Sequence, residues 1–416
     1  MPVDRLLPTT EAHDLIDLVR DLAENELAPL VDQHERRHQY PEGVFPLLGR
    51  AGLLGLPYPS DFGGGEQPYE VYLQVLEELA ARWAGVAVAV SVHTLAVFPL
   101  MHFGTTQQQE RWAEAALNGD LIGGYSLSES HAGSDAAALA CRAEPTPSGY
   151  RINGTKAWIT HGGKTDFYAL FARSSEGLTG ISCFFAPGQC EGLTFSKPED
   201  KMGLNAVPTT SAYWDGASLG AERRIGVEGQ GLHIAFAALD SGRLGIAACA
   251  TGLAHAALDA AVAYAQVRTA FGRKIIDHQG LGFLLADMAA AVDTARASYL
   301  DAARRRAAGR PYTRQASVAK LVAAGTARLP SLRQRGVSTA LPEPGTTLTR
   351  ACPRRSAWTA ELGACTRPAV RVRTRSRAPA VGGQMHLRAQ AAAGTSEGVI
   401  GGRSGRLHRV SVLAAC

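Results

Sequence analysis

The chain has 416 residues, 46% of them apolar, which is globular composition and too long for a single hydrophobic core, so two or three domains are expected. The net charge of +4 hides an asymmetry: residues 321–416 hold 15 Arg, no Lys, three Glu and no Asp (+12), and the remainder carries 27 basic against 35 acidic residues (−8). An acidic body argues against nucleic acid as a partner, which would rest on the tail alone. Seven cysteines with no CxxC pair argue against a disulfide framework and a zinc site, and no metal is expected.

The opening "MPVDRLLPTTEAHD" lacks a basic stretch followed by an apolar core, so no secretory signal is expected and the cytoplasm is the expected location. Residues 11–31 space Leu15, Leu18, Val19, Leu22 and Leu30 as one helical face, with Pro29 near the end of the helix. Further helices are expected at 43–53, 68–84, 91–102 and 106–116, with "PYPSDFGGGEQP" as a glycine-rich turn. The run "AGVAVAVSVHTLAVFPL" is rich in small residues and carries His93; it reads as a buried helix and not a membrane span. Residues 1–120 therefore form a helical domain.

The texture then changes. "YRINGTKAWIT", "DFYALFAR", "GISCFFA", "LTFSKPE" and "TTSAYWD" are short aromatic and β-branched runs punctuated by Gly, Pro, Asn and Asp, the pattern of a small barrel or sandwich over 121–230. From Gly231 a long alanine-rich helix runs to about 268. A second covers about 280–308 with Phe283, Leu284, Met288, Val292 and Tyr299 on its apolar side, and a third starts near Tyr312. These make an incomplete bundle over 231–325. Residues 326–416 are rich in Arg, Ala and Pro, show no sustained period and are expected to be disordered. The break after "QASVAKLVAA" is what a shifted reading frame of a GC-rich gene produces; a genuine basic extension is the alternative.

Helical domain, β-domain and helical bundle make an α+β chain. With "LLGRAGLLGLPYPSDFGGG", "YSLSESHAGSD", "GTKAWITHGG" and "RTAFGRKIIDHQGLGFLLADM" in that order, it resembles the acyl-CoA dehydrogenase family of flavoproteins over about residues 10–322. The resemblance implies FAD, an acyl-CoA substrate oxidised to the trans-2-enoyl-CoA, an electron-transfer flavoprotein as acceptor and a homo-oligomer, dimer or tetramer. Another flavin enzyme on the same fold and an impaired flavin-binding remnant are the alternatives.

The residues can also be read for chemistry. A flat isoalloxazine needs an aromatic or apolar wall and a few short donors. Trp158 supplies a wall and Thr160 a hydroxyl on the same strand face, although a Trp and a Thr in a strand more often pack a sheet. Tyr125, Leu127 and Ser128 offer backbone N–H groups and the Ser128 hydroxyl. The resemblance implies that Trp158 flanks the ring, Thr160 lies near its N5, Ser128 sits at the pyrimidine edge and Ser134 contacts the thioester. It also implies that Arg268, with Phe271 and Gln279, reaches the FAD of a neighbouring subunit; a solvated arginine at a helix end is the plainer reading. Ser130-His131 replaces the family's usual Pro-Gly after Glu129.

In "LDSGR", Arg243 matches the family's arginine near the thioester, while Gly242 stands where some branches carry the catalytic glutamate. Most members carry that base in a C-terminal glutamate–glycine–threonine turn. Glu343 and Glu361 lie in unrelated contexts, and Glu397, followed by glycine but no threonine, is a weak candidate. The catalytic base is thus unassigned.

Overall fold

The computed structural model describes residues 3–177 and 180–339, and the side chains of the last helix as far as residue 327. Glu343, Glu361 and Glu397 lie outside the described residues, as does most of the segment expected to be disordered.

The chain opens with helix α1 (Thr10–Leu22), capped by the Thr9 hydroxyl, which accepts from the Ala12 amide at 3.2 Å. A π-turn at Ala23–Leu27 joins it to α2 (Ala28–Arg37). The helix does not end near Pro29, as the sequence suggests. Proline cannot donate to the preceding turn, and the wider π-turn just before it absorbs the missing bond. The buried stripe also differs from the expected one: Ala12, Ile16, Val19, Ala23 and Leu27 face the core, and Leu18 and Leu30 are exposed. Helix α3 (Val44–Arg50) follows.

The expected helices at 68–84 and 91–102 are continuous as α4 (Tyr69–Phe103), bent at Trp83 (φ −139°, ψ 88°), whose indole donates to Glu35 at 2.9 Å. The stretch between them is rich in Ala and Val and has nothing to stop a buried helix. Helix α5 (Thr106–Leu117) opens on a capping box between Thr105 and Gln108.

The middle of the chain forms β1 (Gly123–Ser126), β2 (Arg142–Thr146), β3 (Gly149–Thr160), β4 (Phe167–Arg173), β5 (Ile181–Pro187), β6 (Leu193–Phe195), β7 (Thr209–Gly220) and β8 (Arg224–Ile225). Their order across the sheet is β6-β7-β3-β2-β4-β5-β8, with β1 parallel to β4. Pairing is antiparallel except for the β1–β4 and β2–β4 contacts.

Helix α6 (Gly231–Val267) then crosses α4 at close range. A Cβ at Gly245 would lie 2.2 Å from the Ser91 hydroxyl, and one at Gly252 would lie 2.1 Å from the Glu77 carbonyl oxygen. Small residues permit this approach, and α4 and α6 become the central pair of the molecule. A two-strand hairpin, β9 (Thr269–Ala270) and β10 (Arg273–Lys274), leads to α7 (Gln279–Ala307).

On α7, Met288, Val292 and Tyr299 are buried as expected, but Phe283 (62% exposed) and Leu284 (39%) lie on the surface. Helix α8 (Thr313–Thr339) extends past residue 325, where the bundle was expected to end. Ala, Leu, Arg and Gln after that point favour helix, although Pro330 and Gly336 within the stretch do not. Among the described residues, two helices, α4 and α6, are long and apolar enough to cross a membrane; 83% of the α4 window and 61% of the α6 window are buried in the fold.

Buried charge ties the helical parts together. Glu77 on α4 accepts from Arg5, from Arg296 at 2.8 Å and from the Tyr299 hydroxyl. Burial alone would raise its carboxyl pKa, but the two guanidinium groups outweigh burial and hold it below its ordinary value.

Candidate flavin and thioester site

Strand β3 carries the first half of the site. Its pairing with β7 slips between Lys156 and Ile159, placing an extra residue on β3. Trp158 sits in this bulge with φ +58°, a left-handed conformation that is uncommon for a bulky aromatic residue. Ile159 is fully buried, and Trp158 and Thr160 on either side of it are half-buried. The Trp–Thr pairing read from strand alternation is thus present, but a bulge holds the tryptophan.

His161, which follows, also has positive φ (+63°) and is fully buried. Its Nδ1 lies 3.1 Å from the Tyr40 hydroxyl and its Nε2 3.3 Å from the Ala89 carbonyl. Burial lowers its pKa to about 3, so the ring is neutral. His93 on α4 is a second buried neutral histidine, with its pKa lowered to about 4 by burial. It accepts the Gly123 amide at Nδ1 (2.9 Å), so its Nε2–H donates to the Ala116 carbonyl (2.9 Å) and fixes the entry to β1.

The segment after β1 runs beside the bulge. The Ala157 amide donates to the Ser128 carbonyl at 2.9 Å. Lys156, fully buried, donates to the Leu127 carbonyl at 2.9 Å and to Glu129 at 2.8 Å. Glu129 also accepts the amides of Ala140 (2.7 Å) and Cys141 (3.0 Å), and His131 Nε2 lies 3.6 Å away. Sequence reading passed over Glu129 and Lys156; a lysine at an inward position of a strand was the available signal.

The side chains of Tyr125 and Leu127 point into the core, with the Tyr125 hydroxyl donating to the Ala235 carbonyl at 3.3 Å; what these residues present to a ligand is backbone. Ser128 is buried, and Ser134 is exposed on the following loop. The buried Ser126 hydroxyl, on the strand leading to Ser128, has no hydrogen-bond partner among the described residues. A half-open tryptophan face, short hydroxyls and an orphaned buried hydroxyl fit a flat ligand rich in acceptors.

The second half lies between α4 and α6. A narrow cavity there is lined by Tyr58, Tyr69, Tyr72, Ser91, Thr94, Leu95, Phe98, Ser241, Gly242 and Arg306. Tyr58 donates to the Thr94 carbonyl (2.7 Å) and Tyr69 to the Ser241 carbonyl (2.9 Å), so neither hydroxyl is available as an unbonded donor in the cavity. Burial raises the pKa of both, that of Tyr69 to about 12. Arg306 lies over the Tyr69 ring, 3.8 Å from its centroid. Arg243 is half-buried on α6 and paired with Asp240, which also accepts from Thr313.

Arg268, Phe271 and Gln279 are gathered at the hairpin between α6 and α7. Arg268 ends α6, and its carbonyl accepts the Ile275 amide at 2.8 Å. Phe271 and Gly272 both have positive φ and make the two-residue turn; Phe271 is 96% exposed, and Gln279 is exposed at the start of α7.

Comparison with known proteins agrees with this arrangement. The chain matches the N-terminal, middle and C-terminal domains of acyl-CoA dehydrogenases over residues 9–120, 124–217 and 229–329. It is 38% identical over 321 residues to the mouse mitochondrial short-chain specific acyl-CoA dehydrogenase, covering 76% of this chain and 78% of the relative. Among solved structures it is similar to butyryl-CoA dehydrogenase from Megasphaera elsdenii (TM-score 0.80, 32% identity, 86% of this chain and 95% of that one). It is also similar to a chain from a structure described as the electron-transferring flavoprotein of Acidaminococcus fermentans (TM-score 0.82, 31% identity, 86% and 94%). The fold and site define a flavoprotein dehydrogenase of α+β architecture. The chain belongs to the acyl-CoA dehydrogenase family, whose members are FAD-dependent oxidoreductases.

Proposed function

We propose that this chain binds FAD against Trp158 and a short-chain acyl-CoA with its acyl end in the cavity between α4 and α6. The observation that carries the reading is the lining of that narrow cavity, in which Tyr58, Tyr69, Tyr72 and Phe98 stand with Leu95 and Gly242 and leave little room for a long chain. When bound, FAD accepts the hydride leaving the β-carbon of the thioester. The chain's own residues wall the ring (Trp158), offer hydrogen bonds at its edges (Thr160, Ser128) and place an arginine (Arg243) beside the thioester; Ser134 lies on the loop that reaches the ligand. Electrons pass on to a protein of the electron-transfer flavoprotein type.

Val267, Phe271, Phe283, Val318 and Leu321 are exposed apolar residues on α6 to α8 and their hairpin, which supports a homo-oligomer in which Arg268, Phe271 and Gln279 meet a neighbour's FAD. Helix α6 supplies no base, because Gly242 has no side chain. Glu397, the weak candidate for the base, lies outside the described residues, and a catalytically impaired flavin protein is the second reading.

The test measures FAD binding first, then thioester binding across C4 to C16 by perturbation of the flavin spectrum. Short thioesters are expected to bind more tightly than C12 or longer ones, with flavin bleaching far below the ~1–10³ s⁻¹ of efficient enzymes. Equal binding of C4 and C16 would refute the short-slot reading, and rapid bleaching would show a base outside α6.

A further inference from the structure

The buried pair Lys156–Glu129 has no place in the chemistry above, yet it joins the two strand segments that make the flavin half of the site. Lys156 is fully buried and Glu129 only 2% exposed. A pair this deep is costly to bury and adds little net stability unless its remaining hydrogen-bonding positions are filled. Here most of them are: the carboxylate takes two backbone amides besides the ammonium, and the ammonium takes the Leu127 carbonyl besides the carboxylate. Burial would push the Glu129 carboxyl up, but Lys156 and the amides together hold it below its ordinary value, so the carboxylate form is favoured.

The geometry fixes more than a salt bridge. The chain has no cis peptide among the described residues, so the Ser128 N–H points opposite to the Leu127 carbonyl. With that carbonyl held by Lys156, the Ser128 N–H is directed away from the buried lysine. The next peptide plane is set in turn, because the Ser128 carbonyl accepts the Ala157 amide. Both planes flanking Ser128 are therefore set by the two residues that immediately precede Trp158.

We propose that Lys156 and Glu129 are positioning residues for the flavin. Lys156 orients the Leu127–Ser128 peptide toward the ring edge in register with the Trp158 wall, and Glu129 holds Lys156 in place while anchoring the start of β2 through the Ala140 and Cys141 amides. The inference rests on the flavin reading given above.

The test uses the full chain with FAD as the probe. FAD dissociation constants and the visible circular dichroism of bound flavin are compared for the wild type, Lys156→Met, Glu129→Gln and the uncharged double variant Lys156→Met/Glu129→Gln. Arg296→Met, which breaks the separate buried network at Glu77, serves as the control. Lys156→Met and the double variant are expected to raise the FAD dissociation constant at least tenfold and to alter the flavin dichroism. Glu129→Gln keeps the bond to the Leu127 carbonyl and does less. Arg296→Met lowers the melting temperature without changing the dichroism or the dissociation constant.

A folded Lys156→Met with wild-type affinity and dichroism would overturn the proposal. So would an equal loss of affinity in Arg296→Met, or failure of both Lys156 variants to fold while Arg296→Met folds, since the pair would then be a fold determinant only. If the wild type itself binds no FAD, the flavin reading fails and takes this inference with it; a wild type that binds alongside an indifferent Lys156→Met overturns the inference alone.

Discussion

Placing a carboxylate on α6 tests where the substrate lies. A Cβ built on Gly242 meets only Leu95, at 3.2 and 3.3 Å from its two terminal methyls, and points into the tyrosine-lined cavity. Those contacts are a few tenths of an ångström too close for a Cβ, so Gly242→Glu is expected to cost about 1–3 kcal/mol of stability through overpacking, with the burial of its carboxyl adding to that. The new carboxylate, among ring faces, has a raised pKa, which suits a base working near neutrality. A positioned general base contributes about 10²–10⁴ in rate. The assay is exchange of the α-protons of butyryl-CoA in D₂O, followed by mass spectrometry with FAD present. Gly242→Glu should exchange at least tenfold faster than the wild type and than Gly242→Ala, which carries the same Cβ without the acid. A folded, flavin-loaded Gly242→Glu exchanging no faster than Gly242→Ala would show that this cavity does not hold the α-carbon.

Trp158→Gly should weaken FAD binding by removing the ring wall, yet leave the melting temperature unchanged or slightly higher, because glycine accepts φ +58° without strain worth about 1–3 kcal/mol; a lower melting temperature with unchanged flavin content would make Trp158 a packing residue. Arg268→Ala should lower FAD occupancy more than Arg268→Lys does, since only the lysine keeps the charge, and the two falling equally would point to the guanidinium fork alone. His93 and His161 have folded-state pKa values below their unfolded value of 6.5, so the stability they contribute is complete above pH 6.5 and lost as pH falls toward about 4 and about 3. By pH 5 each should have cost about 2 kcal/mol, and His93→Gln should shrink the drop in melting temperature between pH 7.5 and 5; an unchanged drop would show that His93 does not titrate in this range.

Much of this was legible because it depends on local chemistry. The alanine-rich run after Gly231 has few breakers and gives one unbroken helix to Val267, and the aromatic, glycine-punctuated texture of 121–230 gives a sheet. What escaped depends on partners distant in sequence. The buried stripe of α1 is set by which face α4 covers, and it passes through Ala12 and Ile16 in place of Leu18. The π-turn before Pro29 answers a bond that proline cannot make. The burial of Lys156 makes sense only when Glu129, 27 residues earlier in the chain, is placed beside it. The bulge at Trp158 is invisible to strand alternation because an alternating pattern assumes regular pairing, and the extra residue appears only when β3 is laid against β7.

Three glycines on α6 separate packing from site. A helix interior selects against glycine by about 1 kcal/mol relative to alanine, so each calls for a reason. At Gly252 the reason is contact: a methyl group would overlap the Glu77 carbonyl oxygen at 2.1 Å, and a main-chain atom of a buried helix cannot step aside. At Gly245 the obstacle is the Ser91 hydroxyl at 2.2 Å, which rotation relieves in part. Gly242 has no such obstacle, only Leu95 methyls at 3.2 Å and the open slot. Its small size therefore keeps the slot clear and is not needed to let the helices meet. The expected order of destabilisation on substitution by alanine is Gly252 greatest, Gly245 intermediate and Gly242 least, with Gly242→Ala near neutral because helix propensity offsets the crowding of Leu95. Denaturant melts of the three variants measure this order, and butyryl-CoA binding should fall in Gly242→Ala despite its stability. If Gly242→Ala were instead as destabilised as Gly252→Ala, the glycine would belong to the α4–α6 interface, and the slot would be a by-product of helix packing.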